Sequence, residues 1–192
     1  GAFGMYLALT GARLKRGDVV GLGLATHAVQ GGVEEPILEA LAAGDAVEAV
    51  AARFAEPAGD TPVMARATEI NQLFDQPDLA AIMAALATAA PQSPFAAELM
   101  AGMAKRSPMS MAVAFEQIRR GASLDFEAAM VLEFRIVSRI VHGHDFYEGV
   151  RALIIDKDNQ PRWQPDTLSG LDPAAIAAHF APLDPDLTFL KG

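Results

Sequence analysis

The sequence contains no cysteine. Disulfides, thiolate metal sites and a cysteine nucleophile are excluded, and the composition suits a reducing, cytoplasmic setting. Positive charge is also scarce: 15 Lys and Arg against 24 Asp and Glu give a net charge of −9. That balance argues against a nucleic-acid surface, which needs clustered cations against phosphate. No apolar run is long enough to span a membrane, and the N-terminal GAFGMYLALTG is too short and lacks the basic flank of a signal peptide. Glycine-rich phosphate loops and serine elbows are missing. The GLG triplet at Gly21 to Gly23 lacks the third glycine and the preceding strand of a dinucleotide loop, so it reads as a helix exit. What is present is apolar: 52% of the 192 residues are hydrophobic and 20% charged, enough to bury a core.

The chain opens inside an apolar helical pattern and without a methionine, as a piece of a longer polypeptide would. Residues 4–10 read as the end of a helix closed by Gly11. A second short helix is expected from Lys15 to Leu22, and Leu24 to Val29 reads as a brief extended piece. From Glu34 onward the pattern is almost wholly helical. Thr61-Pro62, Ser93-Pro94, Ser107-Pro108 and Asp172-Pro173 each place a capping side chain before a proline, the signature of a helix start. Phe95, Leu99 and Met103 share a face, as do Met111, Phe115 and Ile118. Phe126, Met130, Phe134, Val137 and Val141 form the strongest amphipathic stripe. Strands are nearly absent after Val29, so the fold class is mainly α.

The most particular stretch is HGHDFYEGVRALIIDKDNQPRW, His142 to Trp163. Phe146, Val150, Leu153 and Ile154 share one face of a short helix. His142, His144 and Asp145 are suitable zinc ligands, but they lack further partners, and Asp145 is better read as a carboxylate at a helix N-terminus. DKDNQP matches the opening of a calcium loop. The glycine position holds Pro161 and the terminal glutamate position holds Thr167, so no metal site is expected. Glu148 and Asp145 are candidates for an acid–base pair, weighed against a solvated first turn. Arg119 and Arg120 suit either phosphate or the dipole of a helix C-terminus, and the dipole is the simpler reading. Trp163 is expected to anchor the core.

YLALTGARLKRGDVVGLGLATHAV (Tyr6 to Val29) resembles the segment that leaves the catalytic core in the crotonase, or enoyl-CoA hydratase/isomerase, superfamily. SPMSMAVAFEQIRRGASLDFEAAMVLEFR (Ser107 to Arg135) and HDFYEGVRALIIDKDNQPRWQPDTL (His144 to Leu168) are similar to its 3-hydroxyisobutyryl-CoA hydrolase branch. The resemblance implies a helical C-terminal module of a crotonase-like fold without the N-terminal β/α spiral core. Residues 1–30 would end that core and 31–192 would form the C-terminal helical region. It implies a coenzyme A thioester as substrate, no required cofactor, the N-terminal core of the parent as partner, and a homo-oligomer. The family's oxyanion hole and carboxylates precede the LTG segment, so no catalytic residue is assigned here and all are expected upstream of Gly1. In hydratases an "EG…AF.EKR" segment sets an aromatic residue and a lysine against the coenzyme A nucleotide. Glu148-Gly149 and Ala152-Leu153 match its start, and Lys157 matches its lysine after one extra residue. Lys157 and Leu153 are therefore the candidate coenzyme A contacts, although Leu153 has no π face for stacking. For Lys157 the competing reading is a surface charge balancing Asp156 and Asp158. Alternatives for the whole are the same region of an enoyl-CoA hydratase or isomerase, and a non-enzymatic helical interaction module that meets a partner through Phe126 to Val141.

Overall fold

A computed structural model describes residues 1–189, so the last three positions of the 31–192 region lie outside the described residues. Among the described residues there are eleven α-helices and no strand; the one extended pairing is an isolated antiparallel bridge of Val29 with Ala55. No described helix is long and apolar enough to cross a membrane. The mainly α class read from the sequence is the observed one. The chain divides into two compact units, Gly1–Gly11 with Ile70–Gly192, and Ala12–Glu69.

Helix α1 (Phe3–Thr10) ends at Gly11, whose φ of 60° lets its N–H reach the Leu7 carbonyl. The second unit begins with α2 (Arg16–Gly21) and continues through α3 (Glu34–Ala42) and α4 (Val47–Arg53). There α2 fastens the irregular segment after α4. The Arg16 guanidinium takes Glu56 and the Pro57 carbonyl at 3.1 and 2.8 Å. The carboxylate of Asp18, fully buried, accepts the N–H groups of Val63 and Met64 through Oδ1, both at 3.0 Å. This corrects the expectation at Thr61-Pro62 in one respect: a 3₁₀ turn, Met64–Arg66, follows and runs directly into a helix at Ala67, but no side chain of its own segment caps it. A buried carboxylate from another helix supplies the acceptor instead, a contact that local spacing does not reveal.

The remaining helices are α5 (Ala67–Phe74), α6 (Leu79–Ala89), α7 (Pro94–Met103), α8 (Pro108–Gly121), α9 (Phe126–Ile140), α10 (His144–Val150) and α11 (Pro173–Ala178). Ser93, Ser107 and Asp172 cap α7, α8 and α11 as expected, each followed by proline in the first turn. Asp78 and Asp125 cap α6 and α9 without a proline beside them. In the unit containing α1, the core takes Tyr6 and Leu9 from α1, Phe74 from α5, Ile82 and Leu86 from α6, and Met103 from α7. Tyr6 meets Phe74 edge-on at 5.4 Å, a favoured aromatic geometry.

The amphipathic reading of α9 needs correction. Its buried residues are Leu132 and Ile136, which cluster with Val113 and Phe180. Phe126 is 77% exposed, and Met130, Phe134 and Val137 are exposed as well. The helix carries two apolar stripes. The one that meets α8 and Phe180 is the shorter, while Arg135 and Arg139 bind Asp186 and the His179 and Pro182 carbonyls to hold that side closed. Ile118, expected beside Met111 and Phe115, is likewise exposed, while those two are buried.

Leu132→Ala is expected to cost about 2–5 kcal/mol in denaturant unfolding, against about 0.5 or less for Phe126→Ala. Asp18→Ala, which strands two backbone donors, is expected to cost about 1–3 kcal/mol. Amide exchange at Val63 and Met64 should accelerate first.

Candidate functional site

The most particular stretch of the sequence folds into a connected polar structure. Ser107 is 5% exposed; its hydroxyl accepts the Ser110 N–H and donates to Asp145 Oδ2 at 2.5 Å. Asp145, in the first turn of α10, accepts the Gln164 N–H at 2.9 Å through Oδ1, with His144 Nδ1 3.0 Å from that oxygen. One carboxylate thus joins the starts of α8 and α10 to the segment carrying Trp163. That tryptophan is not a core anchor: it is half-buried on a groove wall, where its indole N–H donates to the Lys105 carbonyl at 3.0 Å. Its ring lies against Gly149, at whose position an added Cβ would stand 3.5 Å away.

After Val150 the helix widens into a π turn, Arg151–Ile155, closed by the Asp156 N–H on the Arg151 carbonyl at 2.8 Å. The Arg151 guanidinium is the electrostatic centre of the 148–162 region. It holds Glu148 through two bonds of 2.9 and 2.7 Å, Asp156 at 2.6 Å, Asp158 at 2.7 Å and the Gln160 carbonyl at 3.2 Å. Glu148 Oε1 also accepts the Arg162 N–H at 2.7 Å. These bonds hold the Glu148 carboxyl down to about 2, with Arg151 the principal cause, and Asp158 is lowered by the same guanidinium. Glu148 is therefore a locked carboxylate, neither the general acid nor the solvated charge considered from sequence.

The turn beyond is left-handed at two non-glycine residues, Lys157 with φ 56° and Asn159 with φ 55°. Such a conformation costs an L residue roughly 1–2 kcal/mol. It is compensated here by the Asn159 N–H on the Ala152 carbonyl and the Gln160 N–H on Asp158 Oδ1. The lysine forms no ion pair with its neighbours: both aspartates are bound to Arg151, and among the described residues no carboxylate lies within ion-pair distance of Lys157.

An open groove of about 1330 Å³ runs between α1, the start of α8, the end of α9, α10 with the π turn, and the 159–166 segment. Its walls include Met111, Ile154 and Trp163, with Lys105 and Arg162 among its cations. Leu153, a candidate coenzyme A contact, lines this groove and is 60% exposed; Ile154 is 64% exposed and Phe146 43%, so the expected apolar face of α10 opens outward. Lys157 is exposed on the turn after it and is not part of the lining. The structure thus sets Leu153 and Lys157 on adjoining parts of one motif, but in different surroundings. Sequence reasoning missed Arg151, although its spacing of three from Glu148 and the two aspartates ahead were visible. It also missed the Ser107–Asp145 bond, for which no local signal exists. Arg119 and Arg120 both pair with Glu116 in the last turns of α8, and Arg120 lies 4.0 Å over the Phe180 ring. Among the described residues no three His, Asp or Glu side chains converge on a metal position.

Because the folded Glu148 sits below its ordinary value of 4.5, its stabilisation is complete above that pH and is lost as pH falls toward about 2. The emission of Trp163, the sole tryptophan, should report this release over that interval. In Glu148→Gln the same interval should show no such change.

With the groove and its polar frame defined, the chain can be set beside known proteins. The profile of the enoyl-CoA hydratase/isomerase family matches residues 1–180. The mitochondrial 3-hydroxyisobutyryl-CoA hydrolase of Danio rerio is 35% identical over 194 residues, covering 96% of this chain and 50% of that protein. The 3-hydroxyisobutyryl-CoA hydrolase-like protein 5 of Arabidopsis thaliana is 32% identical, with 97% and 51% covered. Among solved structures, a carnitinyl-CoA dehydratase from Mycobacterium thermoresistibile superposes with a TM-score of 0.87 at 34% identity, covering 98% of this chain and 54% of that one. An enoyl-CoA hydratase from Rhodobacter sphaeroides 2.4.1 gives 0.81 at 36% identity, with the same coverages. The chain spans about half the length of the curated relatives it matches. With this sequence match and this helical fold, the chain belongs to the enoyl-CoA hydratase/isomerase family and is related to its 3-hydroxyisobutyryl-CoA hydrolases.

Proposed function

We propose that this chain is the C-terminal helical part of an acyl-CoA thioester hydrolase of the 3-hydroxyisobutyryl-CoA hydrolase type. In it, the chain closes one side of the acyl-CoA cleft and carries contacts between subunits. The observation that carries the reading is Lys157, an exposed lysine held in a left-handed turn with both neighbouring aspartates bound elsewhere. A compact ammonium with no carboxylate partner among the described residues suits a phosphate of coenzyme A. Leu153 offers aliphatic surface to the same ligand from the groove. The exposed stripe Phe126, Met130, Phe134 and Val137 on α9 supplies the subunit contact. The chemistry itself is assigned to residues outside this chain, because its conspicuous carboxylates, Asp145 and Glu148, are committed to structural bonds. The likeness to solved dehydratase and hydratase structures favours a second reading, the same region of an enoyl-CoA hydratase or isomerase. The product formed by the full-length protein separates the two.

Titrated calorimetrically with coenzyme A, Lys157→Ala is expected to bind about tenfold more weakly than the unaltered protein, the loss of one charge-assisted contact. Equal affinity refutes the role of Lys157. Given an acyl-CoA and a thiol reagent, the 192-residue chain is expected to release no thiol above background; turnover would overturn the assignment of chemistry elsewhere. Light scattering should show self-association that Phe126→Asp diminishes, and a strictly monomeric chain would refute the subunit contact.

A further inference from the structure

We propose that Arg151 is a positioning residue for anion binding: by gathering Glu148, Asp156 and Asp158 on one guanidinium it shapes the 156–160 turn and leaves Lys157 a cation without a paired carboxylate. The inference rests on the reading of Lys157 as a coenzyme A contact. A lysine between two aspartates ordinarily has a counter-charge at hand. Here both carboxylates are drawn to Arg151, at 2.6 and 2.7 Å. All three guanidinium nitrogens are used: Nε on Glu148, Nη1 on both aspartates, Nη2 on Glu148 and the Gln160 carbonyl. A planar fork of five donors can meet such a set, and an ammonium cannot.

The two engaged aspartates flank the residue whose backbone is left-handed. Asp158 in turn accepts the Gln160 N–H, and the Asn159 side chain donates to the Lys157 carbonyl. Arg151 is thereby tied through its partners to the backbone on either side of Lys157. A second effect is electrostatic. Two uncompensated carboxylates beside Lys157 would repel an arriving phosphate, and a guanidinium bound to both reduces that repulsion at short range, where salt does not screen it. Glu148, fixed from α10, keeps the guanidinium aimed at the turn. Three carboxylates stand against Arg151 and Lys157, so Arg151 does not neutralise the set; it differs from a bare acidic cluster in that the carboxylates are held on the guanidinium and away from the ammonium.

The test is a double-mutant cycle in the full-length protein. Affinity for coenzyme A is measured for Arg151→Gln, Lys157→Ala and the pair, with Arg151→Lys as a charge-preserving companion. Arg151→Gln and Arg151→Lys should each weaken binding about tenfold when Lys157 is present, and less than about twofold in the Lys157→Ala background. The strong intraresidue HN–Hα Overhauser signal of a left-handed residue at Lys157 should disappear in both Arg151 variants. Equal weakening with and without Lys157 makes Arg151 a plain structural residue and overturns the inference alone. Retention of the left-handed signal with unchanged affinity overturns it as well. Lys157→Ala that binds coenzyme A normally refutes the underlying reading first, and this inference with it. Should Arg151→Gln fail to fold, Arg151→Lys carries the same comparison.

Discussion

Arg151 and Ser107 are the two points at which the signature stretch becomes a structure. The guanidinium of Arg151 bonds to three carboxylates and a backbone carbonyl within a short span of chain. Remove that cation and Glu148, Asp156 and Asp158 become three like charges in one turn of helix and one loop. Its partners reach the backbone beyond the π turn, where Asp158 accepts the Gln160 N–H and Glu148 the Arg162 N–H beside Trp163. Its bonds to partly exposed groups are individually modest. Their collective effect is geometric: they select one loop conformation out of many.

Ser107 acts at the other end of the same assembly. Its hydroxyl is both the N-cap of α8 and the donor to Asp145, so a single buried group orients two helix starts. Asp145 passes the constraint on to Gln164, and Trp163 beside it bonds to Lys105 just ahead of Ser107. The polar loop closes on itself, which explains how an open groove keeps a defined wall despite its exposed aliphatic lining. The fixed wall then offers Leu153 and Ile154 to whatever occupies the groove.

The exposed apolar surface carries the opposite message. Phe126, Val137, Leu153, Ile154 and Ile155 are all half or more exposed. The curated relatives it matches are about twice this length, and contiguous apolar surface of this kind marks a place where a protein meets another surface. The proposed role of the chain, recognition rather than bond-making, rests on that balance of locked carboxylates and open apolar faces.

By itself the sequence determined the helical class, several helix starts and the family. Those properties are written in local signals: Ser93-Pro94, Ser107-Pro108 and Asp172-Pro173 stop one helix and start the next wherever they occur, and Gly11 ends α1 because its φ is open to glycine. The family was legible because its motifs are contiguous. Only the tertiary structure decided which face of α9 is buried, since two apolar stripes compete and the winner depends on α8 and Phe180 lying across Leu132 and Ile136. The same holds for Asp18, whose partners lie 45 and 46 residues away. It holds also for Trp163, which shape alone would place in a core and which the bond to Lys105 draws to the groove wall. Lys157 stands between these cases. Its identity came from a motif, but its freedom from Asp156 and Asp158 came from a guanidinium folded back over them, because ion pairs form by distance in space and not along the chain.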